Sequence, residues 1–454
     1  MNPSLFLELV QKYFQLVVGK ITETFNDKKN EQILLHKTML TEEYSPDLKW
    51  GSTKLNHVIV AADVVSLDSS LPLKSRGSMS NATGTVPKLG VKFRKGENDI
   101  NNINVMQARM TLNDKNGDAE ATLVSKIFDD APKCIKSMDY RKEIMFLQGL
   151  STGQFLVPAE EVGTGVRVTF NYKEENTFHA SVSWGSTGYD PIADLREMFD
   201  KAEGDSNTIA VVMLSKKYFN LIRSSVSGKK LVADYRGQVI VNEANLSQPG
   251  REAMLEALAD EFGATFRVVN STFRIEKPDG TFESIRPWEE ANIVAMPSET
   301  VGRLVYGTLA EETNPVAGVQ YQKSGSHVLL SKYSKNDPLE EFTAAQSLCI
   351  PVIDGAESIY VLHADASSSA MSVEHTTLTF TAEGGSQTDD VHYDGDISTL
   401  TYTTAADWLQ VNRRATTLTV KAAANDAEGA VERTATITVS DGTNSVTITV
   451  TQAA

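Results

Sequence analysis

The sequence predicts an α+β body followed by an all-β sandwich. Helix-like and strand-like segments alternate over the first part of the chain, where a helical stripe at Asp190–Ala202 precedes an apolar strand at Ile209–Leu214. After His363 the composition changes, because residues 372–454 contain 19 threonines and no helical period. About seven short runs of alternating polarity there are typical of a β-sandwich. The small polar stretch Ala364–Ser369 predicts a linker between the two parts.

Composition excludes several classes of protein. The chain has 454 residues, of which 41% are hydrophobic and 22% charged, and this argues against wholesale disorder and against a membrane bundle. The formal net charge of −16 argues against tight binding to nucleic acid phosphates. No apolar run is long enough to span a membrane, and no signal-peptide pattern occurs, so we expect synthesis and folding in a cytoplasm.

The helices of the body are predicted from their apolar spacing. Apolar residues recur at steps of three and four from Leu5 to Val17, so this segment predicts an amphipathic helix that packs on its own core or on a neighbouring subunit. Residues 51–113 are rich in turn residues and predict extended chain. The strongest helical stripe lies at 117–150, where Pro132 is expected to split the helix.

Two local patterns suggest sites, and each has a simpler structural interpretation. The pattern G-x-S-x-G surrounds Ser151, but a helix precedes it and a strand follows, which predicts a helix-ending turn. A second set alternates along a predicted strand and turn: Asp390, His392, Asp394 and Asp396. A solvated acidic face is favoured there over a cation site. The sequence therefore predicts no enzyme and no catalytic, cofactor or metal residues.

Four stretches, in order, resemble the major capsid proteins of phage lambda and its relatives. They are Arg141–Gly153, Tyr189–Leu195, Ala295–Pro297 followed by Tyr306-Gly307, and Asp337–Thr343. Ser75-Arg76-Gly77 is also similar to a loop of that family. The resemblance extends over residues 1–363 and implies the Hong Kong 97 phage capsid fold.

The family's organisation can be carried over to this chain. The resemblance implies an N-terminal arm at 1–55, an extended loop at 56–110, a peripheral domain at 111–189 and 336–363 with a spine helix at 117–150, and an axial domain at 190–335. It implies self-assembly into hexamers and pentamers of an icosahedral shell around the double-stranded DNA of a tailed phage. The implied location is the virion capsid, after assembly in the host bacterial cytoplasm. The implied partners are other copies of the chain, portal and scaffold proteins, with DNA enclosed without sequence-specific binding and no membrane.

The tail is similar to a different family. Leu378–Thr388, Ala406–Leu409 and Glu432–Ile437 resemble the BACON family of immunoglobulin-like modules. After the linker at 364–371, this implies a BACON-like sandwich at 372–454, expected to decorate the outside of the shell. The family name refers to carbohydrate binding, so Trp408 is the candidate for a weak glycan contact, although its place at a strand start favours a core tryptophan.

A shell protein buries its surface against copies of itself, so the arm and the loop are expected to contact neighbours. The predicted intersubunit residues are Leu5, Phe6, Leu9 and Phe14 of the arm and Lys74, Arg76, Lys88, Lys92 and Arg94 of the basic loop. We expect the basic loop to lie over an acidic patch of the next subunit. Two alternative functions stay open, namely a glycan-binding protein of a gut bacterium and the shell protein of a bacterial nanocompartment.

Overall fold

The chain divides into two compact units, Met1–Ala364 and Asp365–Ala454, and the division lies within the predicted linker. The computed structural model describes residues 1–26, 34–52, 82–113, 118–157, 166–238, 246–277, 279–365, 371–393, 400–404, 406–414, 417–425, 427, 430–440 and 445–454. Within these ranges, no helix has both the length and the apolar character needed to cross a membrane.

The first unit mixes helices and strands along the chain. Its helices are α1 (Leu7–Asn26), α2 (His36–Met39), α3 (Glu97–Asn113), α4 (Asp118–Ile127), α5 (Asp130–Thr152), α6 (Pro191–Gly204), α7 (Lys216–Ser224), α8 (Val226–Tyr235), α9 (Arg251–Phe262) and α10 (Ala310–Thr313). Its strands are β1 (Leu40–Tyr44), β2 (Lys49–Ser52), β3 (Ala82–Thr85), β4 (Lys88–Lys95), β5 (Gln154–Val157), β6 (Val166–Thr169), β7 (Thr177–His179), β8 (Val211–Ser215), β9 (Thr265–Val269), β10 (Phe273–Glu276), β11 (Phe282–Ile285), β12 (Asn292–Met296), β13 (Gly302–Gly307), β14 (Gln320–Ser324), β15 (Val328–Asn336), β16 (Leu339–Ile353) and β17 (Tyr360–His363).

The longest described helix of this unit is α5, which is called the spine helix below, and the split predicted at Pro132 is confirmed. The stripe at 117–150 forms α4 and α5, and Pro132 falls in the first turn of α5, where its missing N–H costs no hydrogen bond. Gly153 ends α5 in the left-handed conformation (φ 72°), and its N–H donates to the Gly149 carbonyl at 2.9 Å. Phe146, Leu147 and Leu150 are buried in the core beneath β16.

A six-stranded sheet packs against the spine, with the order β1-β13-β16-β15-β14 and β4 also on β16. The long strand β16 organises it, since Glu341–Leu348 pair with β4 and Leu348–Ile353 pair with β13. Its other edge pairs with β15 in antiparallel register. The strand β4, which lies within the predicted extended loop at 56–110, is therefore part of this six-stranded sheet.

A second sheet, with the order β7-β17-β12-β8-β9, carries the helices α6 to α9. Its strands β8 and β12 are buried at every position, and their sequences are apolar apart from Ser215 and Asn292. Asp190 caps α6, because its carboxylate accepts from the N–H groups of Ile192 and Ala193, both at 3.1 Å.

The prediction of extended chain over residues 51–113 is wrong at the C-terminal end of this segment, where the helix α3 forms. Ile100 and Ile103 bury one face of this helix in the core that also holds α1 and α4. The stretch Asn101–Asn104 is polar apart from Ile103, so the apolar stripe is too short for periodicity to reveal. Residues 53–81 of the predicted loop lie outside the described residues.

The second unit is a two-layer β structure, as predicted. Its strands are β18 (Met371–Val373), β19 (Thr377–Phe380), β20 (Gly385–Tyr393), β21 (Thr401–Thr404), β22 (Leu409–Arg414), β23 (Thr417–Ala422), β24 (Arg433–Ser440) and β25 (Ser445–Gln452). They form two four-stranded sheets, β18-β20-β23-β22 and β19-β25-β24-β21. Ile437, Val439, Ile448 and Val450 are buried between polar neighbours, which confirms the alternation read from the sequence.

Candidate functional site

The arm is anchored within its own chain. Phe6 and Phe14 are buried in a core shared with α3, α4 and α5, and the Phe14 ring stacks on Phe128 with centroids 5.6 Å apart. The buried carboxylate of Glu341 in β16 accepts from the Ser4 hydroxyl and, at 3.1 Å, from the Leu5 N–H. These contacts need no second subunit, so the arm helix is part of the folded body.

The four predicted arm contacts differ in exposure. Phe6 and Phe14 lie in their own chain's core, which leaves them little surface for a neighbour, and their contact with another subunit stays a prediction. Leu9 is half-buried against the same core. Leu5 is 42% exposed and Leu16, which the sequence analysis did not select, is 67% exposed. Contact of Leu5 with another subunit stays a prediction, and we predict the same contact for the exposed Leu16.

The basic residues of β4 have partners in the same chain. Lys88 pairs with Glu311 at 3.1 Å, and Arg94 pairs with Glu340 at 2.9 Å. The ammonium group of Lys92 lies over the Phe342 ring, 4.9 Å from its centroid. For Lys88 and Arg94, acidic partners are thus present within one chain, and a contact of these basic residues with the next subunit stays a prediction. Lys74 and Arg76 lie outside the described residues.

A buried polar cluster joins the chain before β1 to the spine helix. The fully buried carboxylate of Glu143 accepts from the N–H groups of Leu35 and His36, both at 2.9 Å, and lies 2.6 Å from His36 Nδ1. Since a carboxylate only accepts, Nδ1 is the donor. Burial lowers the pKa of His36, so its ring is held neutral.

The neighbouring turn of α5 extends this cluster. Lys142 Nζ lies 2.6 Å from Asp139 Oδ1 and 3.0 Å from His327 Nε2, and Lys37 reaches the other Asp139 oxygen at 2.7 Å. Burial of Asp139 opposes ionisation, but Lys142 and Lys37 outweigh it and lower the pKa to about 2. Burial, with the Lys142 charge, lowers the pKa of His327 to about 3.

This cluster lines a cavity of about 220 Å³ and ties α2, α5 and the β14–β15 turn together. Its groups are paired to one another, with His36 Nε2 the buried atom left without a partner among the described residues. No local sequence pattern reveals this cluster, because His36, Lys142 and His327 are far apart in the chain. The cluster holds α2 and the β14–β15 turn against α5. It contains no activated nucleophile.

Ser151 lies at the end of α5, as the helix-ending interpretation requires. The hydroxyl is buried, donates to the Gln148 carbonyl at 3.3 Å and accepts from the Glu289 N–H at 3.1 Å. The Ser151 carbonyl accepts from the side-chain amide of Asn292 at 2.8 Å. These bonds fasten the end of the spine to β12, and the serine has a structural role.

Trp408 is half-buried against the core of the second unit. The Arg433 guanidinium lies over its ring, 4.4 Å from the centroid, and also donates to Gln452 Oε1 and to the Ala423 carbonyl at 2.8 Å. One face of the ring is therefore covered by a held cation. This favours the core interpretation, while the glycan contact stays a prediction.

Family comparisons match the two units separately. The model of the phage major capsid protein E family matches residues 18–361. The model of the BACON family, a candidate binding domain, matches residues 395–453. No curated protein matches this chain.

Several solved structures are similar to parts of the chain. A candidate prophage capsid protein of E. coli CFT073 is 12% identical with a TM-score of 0.46, covering 77% of this chain and 98% of that one. The mature capsid of bacteriophage PhiM1 is 13% identical with a TM-score of 0.35, covering 74% and 89%. A GH5 xyloglucanase of Bacteroides ovatus is 29% identical with a TM-score of 0.16, covering 18% and 19%.

Proposed function

Since this chain belongs to the phage major capsid protein E family, we propose that it assembles into the hexamers and pentamers of an icosahedral shell that encloses the double-stranded DNA of a tailed phage. The chain is a structural component of a virion capsid and not an enzyme. The family match over 18–361, which runs from α1 to β17, is the observation that carries the proposal. Assembly in the host cytoplasm with portal and scaffold proteins belongs to the same proposal.

Charge supports the way in which the shell would hold its genome. With a net charge of −16, the chain has no overall attraction for phosphates, so DNA could be packed and released without being gripped. Two cations of β4, Lys88 and Arg94, are paired with Glu311 and Glu340, which reduces their availability for phosphate contacts. Sequence-specific DNA binding is not part of the proposal.

The second unit supports a role in decorating the shell, because it is a separate compact unit with its own core. We place it outside the shell, where many copies would strengthen any weak contact. The family match of the first unit favours the capsid over a glycan-binding bacterial protein and over a nanocompartment shell.

Electron microscopy of the purified full-length chain tests the proposal. Closed shells, or rings of six and five subunits, are expected, and a chain that stays monomeric at high concentration would contradict it. Expression of residues 1–364 alone is the matched comparison for the second unit. Shells from this shorter chain support decoration, whereas loss of shells would show that residues 365–454 clamp neighbouring subunits.

A further inference from the structure

A cluster of metal-ligating side chains lies in the second unit, away from the surfaces discussed above. Glu374 and His375 follow β18, and Asp389 lies opposite them in β20. One carboxylate oxygen from each acid and one ring nitrogen of His375 all lie within 4.8 Å of one another. Neither the sequence patterns nor the capsid function accounts for this grouping.

Asp389 is the unusual member, because its carboxylate is almost fully buried, at 1% exposure. Its Oδ1 accepts from the His375 N–H at 3.0 Å and lies 3.0 Å from His375 Nδ1. Its Oδ2 is buried and has no hydrogen-bond partner among the described residues. A buried carboxylate with an unpaired oxygen is costly unless a cation balances it.

The protein supplies little of that balance. In the described part of the chain, the ion pair of Asp389 is with His375, whose side chain is 57% exposed. A bound metal ion would satisfy both the charge and the unpaired oxygen.

The backbone holds the three residues in place. Val373 pairs with Val391 in antiparallel register, and the Glu374 N–H donates to the Asp390 carbonyl at 2.9 Å. Glu374 and His375 are exposed to solvent, and Asp389 is buried beside them. Donor atoms around one zinc ion lie about 3.4 Å apart for bonds of about 2.1 Å, so the donor atoms, now within 4.8 Å of one another, would have to draw closer on binding.

We propose that Glu374, His375 and Asp389 bind a divalent transition-metal ion of the zinc class. One imidazole and two carboxylates suit Zn²⁺ better than Ca²⁺, which takes six or more oxygen ligands. Three protein ligands leave the fourth tetrahedral position to water. The site differs from the set Asp390, His392, Asp394 and Asp396 considered from the sequence, because its three residues are Glu374, His375 and Asp389. Asp394 and Asp396 lie outside the described residues.

Metal titration of the full-length chain tests the site. After chelator treatment, Zn²⁺ affinity and stoichiometry are measured by competition with a coloured chelator, and Co²⁺ is used to read tetrahedral coordination from its visible absorption. Glu374→Gln and His375→Gln change exposed side chains and are expected to weaken the site about tenfold or more. Glu383→Gln, an exposed carboxylate on the same unit, is the matched control and should bind like the unaltered chain.

Asp389→Asn adds the buried ligand to the series, with thermal unfolding recorded to show that the unit still folds. A one-to-one site lost in the Glu374 and His375 variants and kept in Glu383→Gln supports the proposal. No binding by the unaltered chain, or equal binding by all variants, overturns it.

Discussion

Glu143 Oε2 and His36 Nδ1 lie 2.6 Å apart with both side chains shielded from solvent. The same carboxylate also holds the N–H groups of Leu35 and His36, so one side chain of the spine helix binds three donors from the chain before β1. A buried acceptor of this kind fixes where that chain crosses the spine.

Removing this acceptor should destabilise the first unit. Glu143→Ala leaves two buried donors of His36 and the half-buried N–H of Leu35 unpaired, and we expect the free energy of unfolding to fall by about 3–5 kcal/mol. Urea unfolding of the unassembled chain, followed by tryptophan fluorescence, measures the change. Glu203→Ala, at an exposed helical position, should stay within about 0.5 kcal/mol, and an equal loss in both variants would contradict the role given to Glu143.

The buried histidines predict how stability depends on pH. The pKa of His327 falls from 6.5 to about 3 on folding. Between about pH 3 and pH 6.5, the His327 ring therefore binds a proton in the unfolded chain but not in the folded chain. Stability contributed by the neutral ring is complete above about pH 6.5 and is lost by about 1.4 kcal/mol per pH unit as the pH falls. Asp139, with its pKa of about 2, stays ionised across this window.

Melting temperature measured from pH 7.5 to pH 4.5 checks this slope. His327→Asn should flatten the decline, since Asn takes up no proton on unfolding. His179→Asn, which changes an exposed histidine, serves as control. A decline as steep in His327→Asn as in the unaltered chain would show that other groups cause it.

Sequence patterns predicted the helix ends and strands that depend on interactions between residues close in the chain. Pro132, Gly153 and the Asp190-Pro191 cap mark helix ends through their own backbone chemistry, and the Thr-rich alternation marks the sandwich. The helix α3 was not predicted, because only Ile100 and Ile103 form its buried apolar face. The sequence did not predict which groups pair with Lys88, Arg94 and Lys142. These pairs join segments that are distant in the chain, such as Arg94 with Glu340.

The arm helix offers a paired test of folding against assembly. Phe14→Ala removes a buried ring and should destabilise the first unit by about 3–5 kcal/mol. Leu16→Asp changes a side chain that is 67% exposed, so the unassembled chain should keep its melting temperature. If the arm's open side contacts a neighbour, Leu16→Asp lowers the yield of shells in sedimentation. Normal shells from Leu16→Asp would remove this face from the interface.

A charge exchange tests whether the basic strand acts within one subunit. Arg94→Glu places two acids together and should reduce stability by about 1 kcal/mol or less, as for exposed pairs. The double variant Arg94→Glu, Glu340→Arg restores an intrachain pair and is expected to recover both stability and shell yield. Recovery of stability without recovery of shells would show that Arg94 also faces an acidic group of another subunit.

Trp408 and Arg433 separate a core role from a glycan role. Trp408→Ala removes a half-buried ring and should lower the stability of the second unit by about 2 kcal/mol, while Arg433→Ala, which uncovers the ring, should cost about 1 kcal/mol. A sugar stacks on an open ring face, and Arg433 occupies one face at 4.4 Å. We therefore expect a glycan array to give the same weak or absent signals for Trp408→Phe as for the unaltered chain. A glycan bound by the unaltered chain, lost in Trp408→Phe and bound more tightly by Arg433→Ala would instead assign this ring to sugar recognition, because phenylalanine keeps the packing and the alanine at 433 opens the stacking face.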